Sequence, residues 1–534
     1  MAAAEVNLAR SAGVAGAATM TSRILGLVRE QVLAYWFGAS DAMDAFLVAF
    51  RVPNLVRDLF AEGAMSAALV PTFSRTLALE GRARAWQLGN NIMTALIVVT
   101  AVLVVGAMTF APALVRLLAG DFASVPGKFE LTVLLTRVMA PFLILVAVAA
   151  ACMGMLNSLN IFFIPALAPA MFNVASIAVG IGLVPLAISA GVSPILAMAY
   201  GTLVGGIGQV ALQWPPLRRE GFRFRPRLDF ADPGLRRVLA LMGPGMVGLA
   251  ATQLNVFVNT IVATGEGTGA VSWLTYAFRV MYLPIGLFGV SIATATTPAM
   301  SRLAASNDLP RMRSTLASAI ALMLTLNVPA TLGLMVLATP IVQLLFERGR
   351  FTPADTMATA AAVQLYALGL VGYSVVKIVS PTFYALGRSR TPAAVGVAAV
   401  LLNAALSVST APYLGYKGLA LSASIASLFN AGTLAWLARG ALGGLDGGRI
   451  AATFTKTVMA AVIMAGVAWA AMSGMESLLP GRSLAVQISR LAVSMSLAVV
   501  ALGLGAQLLR IREFEDVRDA VTTRLRRLLG TTER

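Results

Sequence analysis

The amino-acid sequence predicts an all-α polytopic membrane protein of about fourteen transmembrane helices, and three observations carry that reading. Hydrophobic residues make up 58% of the 534 and charged residues only 12%, with a mean hydropathy of +0.83; a soluble domain is about 25% charged. Apolar runs near or above the ~18 residues that span a bilayer recur along the whole length. They centre near residues 25, 52, 103, 144, 175, 203, 250, 286, 328, 371, 402, 428, 463 and 498. The alternation of apolar and polar residues over ~10-residue segments that marks a membrane barrel is absent from the pattern.

The first run, about 14 to 37, contains SRILGLVRE (22 to 30) and so carries Arg23, Arg29 and Glu30. It is too long and too charged for the apolar region of a secretory signal, and no small-residue cleavage site follows a short apolar stretch, so it reads as a retained span. Arg23 and Glu30 lie seven residues apart and share a helical face, with Arg29 about 120° away. In the second run Asp44, Arg51 and Asp58 fall at heptad spacing, Asn54 and Arg57 form an i,i+3 pair past Pro53, and Glu62 follows Asp58 at i+4.

The later runs bring an internal repeat. AFRVPNLVRDLFAEGAMSAALVPTFSR (49 to 75) reads like AFRVMYLPIGLFGVSIATATTPAMSR (277 to 302), with Arg51 and Arg279 228 residues apart. MLNSLN (155 to 160) lies opposite ALGRSR (385 to 390), and Asn173 opposite Asn403, both at an offset of 230. Such an offset spans an even number of helices, so both copies enter the membrane in the same direction, the parallel repeat of many transporters. The expected division is an N-lobe of helices 1–6 (1–215), a basic linker (216–237), a second lobe of helices 7–12 (238–440), helices 13–14 (441–510) and an amphipathic basic tail (511–534). In the tail Ile511, Phe514, Val517, Val521, Leu525 and Leu528 recur at helical spacing, the pattern of an interfacial helix.

The net charge of +17 follows the same topology. With fourteen spans, RREGFRFRPRLDFADPGLRR (218 to 237), four further arginine-bearing loops and the tail fall on one side, while the opposite loops and helix ends hold fewer cations, among them Lys128. By the positive-inside rule that side, with both termini, is cytoplasmic. The charge is topological, and nucleic-acid binding is not expected. No histidine is present, which removes imidazole catalysis and His-ligated metals; no metal or cofactor is expected. The single Cys152 lies in an apolar run and reads as a small core residue. No G-x-x-x-x-G-K-[ST] nucleotide loop occurs.

A charge at mid-bilayer costs roughly 2.5–3.5 kcal/mol on insertion scales, so two polar faces on the first two helices must line an aqueous cavity or pair tightly. Pairing would join Arg23 to Glu30 and Arg57 to Asp58 or Glu62. Arg23, Arg29 and Arg57 from one lobe, with Arg279 and Lys377 (in GYSVVKIVSP) from the other, make an excess of cations, with Asn54 beside them and Arg137 as a further candidate. Glu30, Asp44, Asp58 and Glu62 are the candidate charge partners or gating residues. A basic cavity suits an anion, and the planar arginine fork suits phosphate.

The stretches SRILGLVRE, FGAS, DAFLVAFRVPNLVRDLFAEGAMSAALVPTFSR, LNSLNIFFIPALAPAMFN, GAVSWLTYAFR and SVVKIVSPTFYALGRSRTP resemble the MurJ (MviN) family of lipid II flippases, in the MOP exporter superfamily, from about residue 10 to 510. The resemblance implies two lobes opening alternately around an undecaprenyl-pyrophosphate-linked disaccharide-pentapeptide. It implies that Arg23, Arg29, Arg57, Arg279, Asp44, Glu62 and Lys377 matter for activity, and that helices thirteen and fourteen form a groove for the lipid tail. Glu30 stands where many members have aspartate, and Phe278 and Tyr282 where some carry acids. The expected partners are then lipid II, membrane lipids and other cell-wall synthesis proteins, for a monomer in the bacterial inner membrane driven by the membrane potential or a monovalent ion. The alternatives are a polysaccharide-lipid flippase or a multidrug exporter of the same fold. A membrane glycosyltransferase or phosphatase would need convergent carboxylates or a nucleophile that the sequence does not offer.

Overall fold

The computed structural model describes residues 2–59, 65–515 and 518; side chains are described for these except 2–19, 56, 58–59, 66–67 and 244–252. Among the described residues the regular structure is entirely helical, and each of the fourteen expected centres falls inside a helical segment. Ten helical segments are long and apolar enough to cross a membrane, or eleven if the bent pair Pro353–Leu368 and Leu370–Ala385 is one span. Three others, Ala2–Phe37, Asp41–Leu59 and Pro233–Thr264, have the length but fall outside that set. The chain is a multi-pass membrane protein.

The first compact unit comprises residues up to Ser272 together with Arg348–Thr352. It holds α1 (Ala2–Phe37), α2 (Asp41–Leu59), α3 (Met65–Thr109, kinked at Gly81), α4 (Ala111–Ala119), α5 (Lys128–Met139), α6 (Phe142–Ser158), α7 (Phe163–Ser189), α8 (Pro194–Arg219), α9 (Pro233–Thr264) and the first turn of α10 (Ala270–Pro284). Its core joins α3 and α6 through Leu69, Phe73, Leu88, Ile92 and Met155, with Cys152 fully buried among them.

The boundary by packing differs from the expected one at 216–237. Leu235, Val238 and Met242 of α9 belong to the core of the first unit with Leu88, Ile92 and Phe222, so the helix expected to open the second lobe is held by α3 instead. The linker is correspondingly structured. The Asn90 side chain donates to Arg223 O (3.1 Å) and accepts from Arg225 N (2.8 Å), and Asn91 does the same with Asp229 O and N, both at 2.8 Å. Thr94 accepts from Arg227 N (3.1 Å). Asp232 then caps α9 by accepting from Gly234 N (2.7 Å) and Leu235 N (3.2 Å), while Arg84 reaches its other oxygen at 2.8 Å. Burial of Asp232 opposes ionisation, but the bonds from Arg84 and the two amides outweigh it and hold its pKa below the ordinary value.

Two glycines bring the segment 348–352 against the turn between α1 and α2. Arg350 N donates to Tyr35 O at 2.9 Å. Gly38 and Gly349 have φ of 58° and 61°, and a Cβ at Gly349 would overlap the Tyr35 carbonyl oxygen, one at Gly38 that of Arg350. Only glycine supplies both the left-handed conformation and the close approach.

The second unit, Trp273–Glu347 and Pro353 onward, contains the rest of α10, a π turn (Ile285–Gly289), α11 (Val290–Ala305), α12 (Leu309–Phe346), α13 (Pro353–Leu368), α14 (Leu370–Ala385), α15 (Arg390–Leu414), α16 (Tyr416–Ala441), α17 (Gly447–Leu478) and α18 (Leu484–Leu508). The expected separate segment 441–510 is part of this unit: Met464 and Ala468 of α17 and Leu491 and Ala498 of α18 share a core with Leu337 of α12. The repeat positions match in local structure. MLNSLN closes α6 and ALGRSR runs from the last residue of α14 to the first of α15, while Asn173 and Asn403 are buried within α7 and α15. Of the tail, Ile511 is buried and Glu513 accepts from Arg449 at 2.8 Å; beyond Glu515 the amphipathic stretch lies outside the described residues apart from Arg518.

Gly349→Ala should lower the thermal stability of the purified protein by about 1–3 kcal/mol from backbone strain alone, read as a reduced melting temperature. Asp232→Ala should cost more than Asp232→Asn, since asparagine still caps the helix and alanine does not, a difference of about 1 kcal/mol. Because the folded pKa of Asp232 is depressed, its ionic contribution is complete above the ordinary value of about 3.9 and is lost as pH falls through the lower folded value. Asp232→Asn should flatten that part of the stability–pH curve.

Candidate functional site

In the first unit the candidate residues lie on α1 and α2. Glu30 is buried and accepts from Arg29 Nη2 at 2.5 Å. The Arg29–Glu30 contact joins neighbours, a pairing that the shared face of Arg23 and Glu30 did not suggest. Neighbouring residues are only about 100° apart on a helix, and the long guanidinium arm covers that angle. The Arg29 head also lies over the Phe172 ring of α7, 5.2 Å from its centroid, a favourable cation–π arrangement. Phe172 is fixed in turn by Phe50 of α2 and Phe142 of α6. Arg29 Nε is buried and donates to no described group.

Arg23 is half-buried two turns earlier, where Asn173 of α7 donates to Ser22 O at 3.0 Å and pins α1. Asn54 and Arg57 are half-buried on α2, past the buried Pro53. Asp58 is in α2, its side chain outside the described ones; Glu62 lies outside the described residues. Arg137 is exposed and donates to Met108 O at 3.1 Å, apart from this group.

Asp44 belongs to a different constellation from the heptad grouping with Arg51 and Asp58. It has no exposure to solvent. One oxygen accepts from Ser272 N (3.1 Å) and Ser272 Oγ (2.7 Å), the other from Gly269 N (2.8 Å) and Lys128 Nζ (3.1 Å). Lys128 also contacts Asp41 at 2.7 Å, and Asp41 accepts from Thr268 Oγ1 at 2.7 Å. The ammonium lies 4.1 Å from the Phe122 centroid. Asp44 sits in the first turn of α2 and faces the start of α10, so it takes that helix's first amides.

Lys128 is a residue that the sequence reading counted among the cations of outer loops and helix ends without assigning it a role. The structure buries it as the first residue of α5. A signal was present: a cation at a helix N-terminus opposes the macrodipole and calls for an acidic partner.

In the second unit Arg279 is exposed on α10 and Lys377 half-buried on α14. Lys377 Nζ lies 6.0 Å from the Tyr282 centroid. Phe278 stacks on Tyr282 at 5.9 Å and meets Tyr366 and Tyr373 edge-on, so the surroundings of Arg279 include an aromatic cluster. The π turn follows at once, and the absent Cβ of Gly289 leaves room beside Lys377 and Ser374. Such turns recur at functional positions. Among the described residues no group of three or more Asp, Glu and Cys is placed to hold a metal.

Chemically, α1 and α2 present arginines while the acid at Asp44 is committed to Lys128 and the start of α10. That balance favours an anion over a cation. Lys128→Ala should destabilise the protein by about 3–5 kcal/mol, the cost of stranding a buried charge. Adding Asp44→Asn should recover part of that loss, so a double-mutant cycle on melting temperatures should give a clear coupling.

The comparisons with known proteins agree with one another. The family model described as "Lipid II flippase MurJ" matches residues 33–488. A "Lipid II flippase MurJ" of Burkholderia cenocepacia is 34% identical over 430 residues, 80% of this chain and 82% of that protein. A protein of Rhizobium meliloti bearing the name "Probable lipid II flippase MurJ" is 34% identical over 442 residues, 81% of each chain. The solved structure "Lipid II flippase MurJ, inward closed conformation" superposes with a TM-score of 0.76 at 25% identity, over 93% of this chain and 99% of the other. An inward-facing MATE multidrug transporter of the MOP superfamily shares the fold at 16% identity, with a TM-score of 0.67 over 80% and 98% of the two chains. A match across most of the chain, joined to the arginine-bearing first helices, settles the family: the chain belongs to the MurJ lipid II flippases.

Proposed function

We propose that this protein moves the lipid-linked peptidoglycan precursor, an undecaprenyl-pyrophosphate-linked disaccharide-pentapeptide, from the inner to the outer leaflet by alternating access. Arg29 carries the reading. Its guanidinium is held at one end by Glu30 and across its face by Phe172, with buried Nε still available. A fork fixed in this way donates to a phosphate oxygen with little further loss of freedom. Arg23 and Arg57, with Asn54, supply further donors from the same two helices, and Arg279 and Lys377 supply cations from α10 and α14. The aromatic surface of Phe278 and Tyr282 beside Arg279 offers stacking area for a sugar ring.

The membrane is the bacterial inner membrane, with both termini cytoplasmic, because the basic linker, loops and tail then lie on the inner side. The protein acts as a monomer, without a cofactor, and the lipid tail lies along α17 and α18. Cell-wall synthesis proteins on either face are its natural neighbours. Moving an anionic headgroup outward is downhill in an inside-negative potential, by ~2.3 kcal/mol per charge per 100 mV; a monovalent ion is the other available driving force.

The test is transport of lipid II in proteoliposomes. Arg29→Ala should reduce flipping about tenfold or more, the scale of losing one charge-assisted phosphate contact, while the melting temperature shows folded protein. Arg29→Lys should not restore it, since a point charge lacks the fork. Full activity of the alanine variant would overturn the assignment. In cells, depletion should leave the precursor on the inner leaflet, rescued by the natural chain and not by Arg29→Ala.

A further inference from the structure

The linker is the most cationic stretch of the described chain, and it is shaped. Its backbone lacks helix and sheet partners, yet Asn90, Asn91 and Thr94 on one face of α3 supply the hydrogen bonds a neighbouring strand would give, to residues 223, 225, 227 and 229. Phe222 is buried between Trp86 and Trp214, and Phe224 packs against the same core. Burial alternates from Phe222 to Arg225, and Arg223, Arg225 and Arg227 are exposed. In an extended chain residues two apart repeat at about 6.6 Å, so three guanidiniums form a row of set spacing. Next to the row Leu228 and Phe230 are 45% and 54% exposed.

We infer that this strap is a binding element for acidic phospholipid headgroups of the leaflet beside it. The arginine row takes the phosphates, and Leu228 and Phe230 enter the acyl boundary, the pairing of basic and apolar side chains seen in interfacial anchors. The local acids offset only part of it: Asp229 pairs with Arg227 at 3.2 Å, Asp232 is occupied by Arg84 and the α9 cap, and the charges of Arg223 and Arg225 remain. The asparagines of α3 are positioning residues, because they hold the row without touching the ligand. The inference rests on the proposed cytoplasmic placement of the linker in one respect only, the leaflet involved.

The experiment is native mass spectrometry of the full-length protein in detergent, titrated with phosphatidylglycerol and, separately, phosphatidylcholine. The natural chain should prefer phosphatidylglycerol, and Arg223→Gln/Arg225→Gln/Arg227→Gln should reduce that preference about tenfold or more. Asn90→Ala/Asn91→Ala, which keeps every charge and releases the strap, should lower it as well, with melting temperatures reporting that each variant is folded. Equal binding of the two lipids would overturn the inference. So would an equal loss on Arg75→Gln/Arg302→Gln/Arg388→Gln, which removes the same charge elsewhere, or an unchanged preference in the asparagine variant. Leu228→Cys labelled from the outer face alone would overturn the leaflet, and with it the proposed orientation, while leaving the transport assay of Arg29 to stand separately.

Discussion

A carboxylate removed from water must be surrounded by donors or stay protonated, and Asp44 meets that demand with four of them. They come from α5 through Lys128 and from the start of α10 through Gly269 and Ser272. The carboxylate caps α10 from another helix, the role that an N-cap side chain ordinarily fills from its own chain neighbourhood. Positive φ at Gly267 and Gly269 shapes the turn that offers those amides. Lys128 pays a penalty against the α5 dipole and recovers it from two aspartates and the Phe122 ring. The entry into α2, α5 and α10 is thereby set by one side chain.

With that acid committed, the arginines of α1 and α2 define the chemistry of the first unit. The same fold occurs in a MATE transporter at 16% identity, so the architecture alone says nothing about the cargo. In this chain the chemical information lies in the charged side chains. Arg29 over Phe172 and against Glu30 is a pre-organised donor, and Phe278 and Tyr282 place stacked rings beside Arg279 in the sequence of α10.

The span pattern was legible because a bilayer imposes length and apolarity on crossing segments, a demand that ten of the described helical segments meet, or eleven with the bent pair. Arg29 was legible as a charge where none should be. Its pairing was not, since helical angles describe Cβ directions and an arginine reaches several ångströms beyond its Cβ. Lys128 stood only among the cations of outer loops and helix ends, because its partner Asp44 lies 84 residues away in sequence. The linker was legible only as a basic stretch because its partners, Asn90 and Asn91, lie some 135 residues away in sequence and no local signal announces them. The domain boundary moved for the same reason: α9 is chosen by the core beneath it, which periodicity does not reveal.

Cys152 has a practical side. It is the one cysteine of the chain and has no solvent exposure, with Met155 and Leu69 in the same core. A thiol there is out of reach of aqueous maleimides. The natural protein therefore serves as its own unlabelled background, and a single cysteine introduced on any exposed face becomes the sole handle for a spin label, a fluorophore or a crosslinker, with the interior left as it was.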